Sequence, residues 1–321
     1  MVVDRQKWRH ESGAFTPLRS AVWVRMQPLW EDAASLSTAR AALIAWYEQH
    51  HRRFPWRETT DAYPILVSEV MSQQTQLERV EPAFRAFLQR WPAVEDLARS
   101  STDAVVRFWT THALGYNRRA RYLQAAAEQI VEEFDGVVPP DPAVLQTLPG
   151  VGPYTASAVA AFAYNTTTAV LDTNVRRVLH RVAPPADGRD DAAVAEQLLP
   201  PGAARVWNNA IMELGSQACT PTPRCDAADC PWRRWCHAYQ TGDFSTPATP
   251  DQPTFEGSRR QLRGQIVNIL ATEGALRAAE LMTALRERDL GQLDPERLDA
   301  ALSSLEDDGL LRRVDGRYHV A

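Results

Sequence analysis

Residues 148–174, LPGVGPYTASAVAAFAYNTTTAVLDTN, constrain this chain more than any other stretch. Gly150 and Gly152 can take the positive φ that a sharp turn requires and that other residues reach only at a cost. Pro153 suits the first position of a following helix, where its missing N–H is no loss. Residues 155–163 are rich in alanine, so a second backbone can pack very close to that helix. The pattern predicts a tight hairpin with backbone N–H groups facing outward at a helix N-terminus, a ready site for a phosphate. An ordinary helix–helix turn would use the same residues. Asp172 follows, just ahead of residues 174–181, which read as a helix carrying basic side chains. The routine role for an aspartate there is an N-cap.

The second informative stretch is residues 63–79, where Glu69 lies among Ile65, Leu66, Val70 and Met71. A carboxylate in apolar company has its charged form desolvated, which predicts a raised pKa; a solvated glutamate on the helix rim is the plainer alternative. Two resemblances bear on these stretches. LPGVGPYT followed by LDTN resembles the helix-hairpin-helix, Gly-Pro-Asp superfamily of base-excision DNA glycosylases. SEVMSQQTQ resembles the corresponding segment of its adenine DNA glycosylase family, with Ser72 where that family usually has leucine.

The resemblance implies that Glu69 is the catalytic acid and that Gln73, Gln74 and Thr75 probe the base stack. Endonuclease III relatives carry no acid at the position of Glu69. ALGYNRRARYLQ, residues 113–124, is similar to the family's intercalating loop, which implies that Tyr116 enters the duplex beside the lesion; Asn117 replaces a second aromatic. Asp172 is then expected to stabilise the cationic sugar, with Tyr154 and Asn174 lining the site. Lyase members of the superfamily use a hairpin lysine as nucleophile. Tyr154 occupies that position here and Lys7 is the only lysine, so a monofunctional enzyme is expected.

All four cysteines fall within residues 219–236, with the spacing C-x5-C-x4-C-x5-C. With no secretory h-region the chain is expected in the cytoplasm, where a disulfide framework would be odd; the resemblance implies a place near the nucleoid. Compact four-cysteine sets suit an iron–sulfur cluster; structural zinc, which favours paired knuckles, comes second. Cys219, Cys225, Cys230 and Cys236 are therefore expected to ligate an iron–sulfur cluster, which the resemblance implies is of the [4Fe-4S] type. The family pattern has different middle spacings. This spacing, with MELG and the WRRWCHAYQTGDF run, resembles the branch found in salt-loving archaea.

A net charge of −5 over 321 residues advertises no blanket basic surface. The cations are local: Arg118, Arg119 and Arg121; Arg176, Arg177 and Arg181; Arg233 and Arg234; Arg259, Arg260 and Arg263. Short arginine clusters usually mark a solvated face, but their place near the hairpin and the cysteines points to phosphate contacts. In HRRFPWR, Pro55 breaks a helix, and Arg52, Trp56 and Arg57 offer stacking and hydrogen bonding to DNA. No apolar run approaches the length of a membrane span.

The expected organisation is mainly α. An N-terminal extension covers 1–34, whose first 25 residues read as a dispensable leader or a start-site artefact ahead of Met26. The helix-hairpin-helix glycosylase core covers 35–240, with a six-helix lobe at about 57–165 and an iron–sulfur lobe from 35–56 and 166–240. A Pro- and Thr-rich linker follows at 241–256. Residues 257–321 read as three helices and an Asp-Gly hairpin, a winged-helix-like domain. Nothing in it resembles the Nudix-like domain with which adenine glycosylases commonly end. The expected partner is double-stranded DNA with A·G or A·8-oxoguanine mispairs, bound by a monomer, with no membrane. The rivals are a thymine or uracil mismatch glycosylase and a non-enzymatic iron–sulfur winged-helix regulator.

Overall fold

A computed structural model of the chain describes residues 32–182, 190–246, 254–288, 290 and 293–321. The expected leader, nearly all of the 1–34 extension and the middle of the expected linker lie outside the described residues. Among the described residues, strands occur only in a C-terminal hairpin, and no helix is long and apolar enough to cross a membrane.

Helix α1 (Ala33–His50) starts at Asp32, whose carboxylate accepts from the N–H groups of Ala34 and Ser35; such caps satisfy orphan donors of the first turn. Helix α2 (Ala62–Ser72) is buried on nearly every side, from Ala62 through Met71, Glu69 included, the mark of a helix at the centre of a core. Around it lie α3 (Leu77–Arg90), α4 (Val94–Ala98), α5 (Thr102–Thr111), α6 (Arg118–Glu133) and α7 (Pro142–Leu145). Helix α8 (Pro153–Tyr164) buries Ala156, Ala158, Ala160 and Ala161 and packs against α2. Small side chains bring the two axes close, which sets the first turn of α8 against Glu69.

Helices α9 (Thr173–Val182), α10 (Asp191–Leu198), α11 (Ala204–Gln217) and α12 (His237–Thr241) build the other half with α1. Two tryptophans lock the cysteine loop to α1: Trp232 Nε1 donates to Ala39 O at 2.9 Å and Trp46 Nε1 donates to Ala228 O at 3.0 Å. Where α11 crosses α9, a Cβ on Gly215 would come 2.8 Å from the Asn174 Cβ, so only glycine permits that approach.

The tail forms α13 (Arg259–Glu273), α14 (Ala278–Arg286), α15 (Pro295–Asp307) and an antiparallel pair, β1 (Leu311–Val314) and β2 (Arg317–Val320), with Leu311 opposite Val320. Asp315 and Gly316 both take positive φ, as the predicted two-residue turn demands. Three helices and a terminal hairpin are the arrangement the sequence predicts. Helix α13 packs on α5, where Arg107 Nη1 donates to Leu270 O at 3.2 Å and Ala271 O at 2.6 Å, satisfying carbonyls near the helix end. Arg118 pairs with Asp308 of the tail at 3.4 Å.

Candidate active site

The hairpin turns on one glycine, not two. Gly150 has φ +75°, and a Cβ there would come 2.7 Å from the Tyr122 Cβ, so conformation and space both demand glycine. Gly152 has φ −87° and ψ 179°. That is extended backbone open to any residue, so the positive φ expected of it does not occur. Its usefulness lies elsewhere: with no side chain to cap α8, the N–H groups of the first turn remain open to an anion.

Glu69, Tyr154 and Asp172 meet beside that turn. Glu69 is only 8% exposed, so the solvated-rim alternative fails. Burial raises its carboxyl from the ordinary 4.5 to about 7; the Tyr154 hydroxyl, which donates to it, and the Arg57 charge pull it down, while Asp172 adds to the rise. The Tyr154 hydroxyl is itself pushed well up by burial and the two acids, so it stays protonated as a donor.

Asp172 does serve as the N-cap of α9, and the cap is part of its placement. Its Oδ1 accepts from Val175 N–H at 2.6 Å and its Oδ2 from Asn174 Nδ2 at 2.7 Å. Asn174 is held in turn by Arg177 Nη2, which donates to its Oδ1 at 2.7 Å, while Arg177 Nε donates to Cys219 O at 2.6 Å. A chain of hydrogen bonds therefore runs from the cysteine loop to the aspartate. It engages Arg177 inside the protein, against the expected phosphate contact. Arg181 is likewise turned inward, onto Thr220 O at 2.6 Å and Pro221 O at 2.9 Å.

Gln73, Gln74, Thr75 and Tyr116 come together at the end of α2. Gln74 and Tyr116 both have positive φ, 53° and 47°. Such strain persists only where the surroundings fix it. Arg119, expected among the phosphate contacts, is buried and does the fixing: it donates to the carbonyls of Val70, Met71, Gln73, Leu114 and Gly115 and to Thr75 Oγ1, over distances of 2.6–3.2 Å. Gln73 Nε2 donates to Thr155 Oγ1 at 3.2 Å, tying this segment to α8. Tyr116 is 42% exposed at the edge of a cleft of about 970 Å³ that also includes Gln74, Gly150 and Arg260.

HRRFPWR plays a different part from the one expected. Trp56 is buried, stacked on Phe54 with ring centroids 4.8 Å apart and edge-on to Phe84, so it offers no face to a base. Arg57 Nη2 lies 2.6 Å from Glu213 Oε2, and Arg52 Nε lies 2.7 Å from Glu213 Oε1. Glu213 is wholly buried and was missed in the sequence. Its setting in NAIMELG, an acid among apolar residues, is the same signal that marked Glu69. Arg233 pairs with Asp226 and Asp229 rather than standing free.

The four cysteines are free and buried. Arg181 Nη1 lies 3.6 Å from Cys219 Sγ, and the Cys236 thiol donates to Arg181 O at 3.2 Å. Among the described residues, no three His, Cys, Asp or Glu side chains stand close enough to grip a single ion. A cluster asks something else, that each thiolate reach its own iron. Four buried thiols on one loop, with a guanidinium against one sulfur, fit that donor chemistry.

Comparison with known proteins gives a consistent picture. The family described as HhH-GPD superfamily base excision DNA repair protein matches residues 67–201. An adenine DNA glycosylase of Mycolicibacterium smegmatis is 40% identical over 296 residues, covering 89% of this chain and 97% of its own length. One from Mycobacterium tuberculosis is 42% identical, covering 86% and 91%. The human adenine DNA glycosylase is 40% identical over 231 residues, or 66% of this chain and 41% of its own. Among solved structures, a thermostable thymine-DNA glycosylase aligns with a TM-score of 0.60 at 26% identity, covering 65% of this chain and 100% of its own. A DNA complex of endonuclease III aligns with a TM-score of 0.54 at 20% identity, covering 64% and 97%, a likeness of fold alone.

Proposed function

The chain belongs to the adenine DNA glycosylase family within the HhH-GPD superfamily, and we propose that it removes adenine mispaired with guanine or 8-oxoguanine by hydrolysing the N-glycosidic bond. The observation that carries this reading is Glu69: a buried acid near neutrality, bonded to Tyr154 and beside Asp172. Adenine leaves poorly until a ring nitrogen gains a proton, and a carboxyl that is still partly protonated at pH 7 can supply one. As the C1′–N bond breaks, its electron pair goes to the base, which takes the Glu69 proton. The sugar becomes oxocarbenium-like and Asp172, fixed by Val175 and Asn174, faces that charge. Water then adds to C1′ and releases a proton.

The base must first leave the stack, at a cost of a few kcal/mol. Gln74 and Tyr116 fill the gap, and the amides at Gly150–Gly152 hold a phosphate. With Tyr154 in place of a lysine, no Schiff base forms on the hairpin. Cys219, Cys225, Cys230 and Cys236 would hold a [4Fe-4S] cluster, a structural cross-link for the loop whose Cys219 carbonyl anchors Arg177. The protein acts as a monomer on duplex DNA.

A panel of duplexes carrying A·G, A·8-oxoguanine, T·G and U·G tests the reading. Adenine release from the first two is expected, with no adduct trapped by borohydride above background. Preferential release of thymine or uracil overturns it. Purified protein should be brown, with iron and acid-labile sulfide in equal amounts; stoichiometric zinc without sulfide overturns the cluster.

A further inference from the structure

The winged-helix tail meets the wedge through an unbroken series of alternating rings and guanidinium groups. The Arg260 guanidinium carbon lies 5.2 Å from the Phe255 ring centroid and 5.7 Å from that of Tyr116. The Arg119 guanidinium carbon lies 5.5 Å from Tyr116 and 5.3 Å from Trp109. Arg260 Nη1 also donates to the Tyr116 hydroxyl at 3.1 Å, while its Nε is buried with no acceptor. Each contact is a cation–π pair, modest alone and stronger when desolvated. One end of the series is fixed in the core, because Arg119 binds carbonyls at the end of α2. The other end is fixed because Arg107 and Arg118 dock the tail onto α5 and α6.

The rest of the tail argues against the usual use of its fold. In a helix-turn-helix pair the second helix reads DNA; here that helix is α15, and its surface carries Glu296, Asp299, Glu306 and Asp307. Phosphates repel such a face. Arg263, on α13, is occupied by Asp308 and Ser304. What α13 offers the DNA-facing side is its hold on Tyr116.

We propose that Arg260 is a positioning residue for base extrusion: with Arg119 it holds the Tyr116 ring, so that the tail presets the wedge before DNA arrives. The inference rests on the reading that Tyr116 enters the base stack. Tyr116 is an exposed residue at positive φ, and an unsupported tyrosine there would sample many positions. Held between two cations it arrives in one, and the ordering cost is met before binding rather than during extrusion.

The test uses full-length protein and a duplex with 2-aminopurine beside the target adenine, whose fluorescence rises as the stack opens. Arg260→Ala should slow opening about tenfold, the size of one charge-assisted hydrogen bond with its ring contact, while the duplex Kd changes by less than about threefold. Arg260→Lys should recover part of the rate, and Phe255→Leu should slow opening less than Arg260→Ala. In a Tyr116→Phe background, which keeps the ring and lacks only the hydroxyl, Arg260→Ala should slow opening less than it does in the wild type, because the hydrogen bond is already gone and only the ring contact remains to be lost. Opening at the wild-type rate in Arg260→Ala overturns the proposal, as does full additivity with Tyr116→Phe. A weakened Kd with a salt slope smaller by about one also overturns it, since that marks a phosphate contact. Tyr116→Ala separates the two readings. If Tyr116→Ala opens normally, the wedge reading fails; if it is slow and Arg260→Ala is normal, only the tail's share fails.

Discussion

Glu69 and Glu213 are both buried glutamates on core helices, and both feel Arg57, yet their surroundings drive them in opposite directions. Around Glu69, burial dominates and lifts the carboxyl to about 7. Around Glu213, burial pushes the same way, but hydrogen bonds from Arg52 and the charge of Arg57 more than offset it and hold the group below its ordinary range. The difference is one of partners, since exposure is 8% in one case and none in the other. A neutral hydroxyl, Tyr154, leaves a buried acid able to keep its proton; two direct guanidinium contacts do not. Burial pushes both acids toward the neutral form, and the partner decides which of them can keep a proton.

Substituting each acid breaks the comparison most sharply. Glu69→Gln should slow single-turnover adenine release by about 10²–10⁴-fold with duplex affinity nearly intact. Asp172→Asn should do likewise, whereas release by Glu69→Gln at the wild-type rate would remove the acid from the mechanism. Glu213→Gln should instead cost about 3–5 kcal/mol of stability, because it leaves Arg52 and Arg57 without their buried counter-charge; chemical denaturation measures this. Glu213's contribution is present above the ordinary carboxylate range and is lost as pH falls through its depressed pKa.

The pH dependence should also oppose. Between 4.5 and about 7 the folded state holds a proton on Glu69 that the unfolded state has released, so this residue lowers stability as pH rises. Glu69→Gln should therefore stabilise the protein by roughly 3 kcal/mol at pH 8, a gain that shrinks as pH falls through that window. Catalysis should fall about tenfold per pH unit above the same midpoint; a flat profile from pH 6 to 9 would count against the assignment. The smallest effect links the two sites. Arg57→Gln removes a charge that lowers Glu69, so the midpoint should move up by less than about one pH unit.

The parts legible in the sequence were those whose chemistry is local. Gly150, Pro153 and the alanines of α8 announced the hairpin, and apolar neighbours announced the burial of Glu69. Arginine was the residue least open to such reading. Arg119, Arg177 and Arg181 looked like phosphate ligands, but their donors go to carbonyls at helix ends and in loops, and the same cluster of letters describes both fates. Trp56 looked available for a base because Pro55 signals a loop, yet Phe54 and Phe84 enclose it. The contact of the tail with Tyr116 joins residues 144 positions apart, beyond the reach of any local pattern.

The bond from Trp232 to the carbonyl of Ala39 has a consequence for the order of events during synthesis. The two residues are 193 positions apart, and at about 5–20 residues per second the ribosome needs roughly 10–40 s to make the intervening chain. Through that interval α1 has emerged while its partner does not yet exist, and Leu43, Trp46 and Tyr47, buried in the finished protein, must wait uncovered. Of this half, only the short helix α12 appears after the cysteine loop. Covering the first helix and completing the loop are thus both late steps, and a nascent chain stalled before α11 presents the apolar face of α1 to whatever chaperone is near.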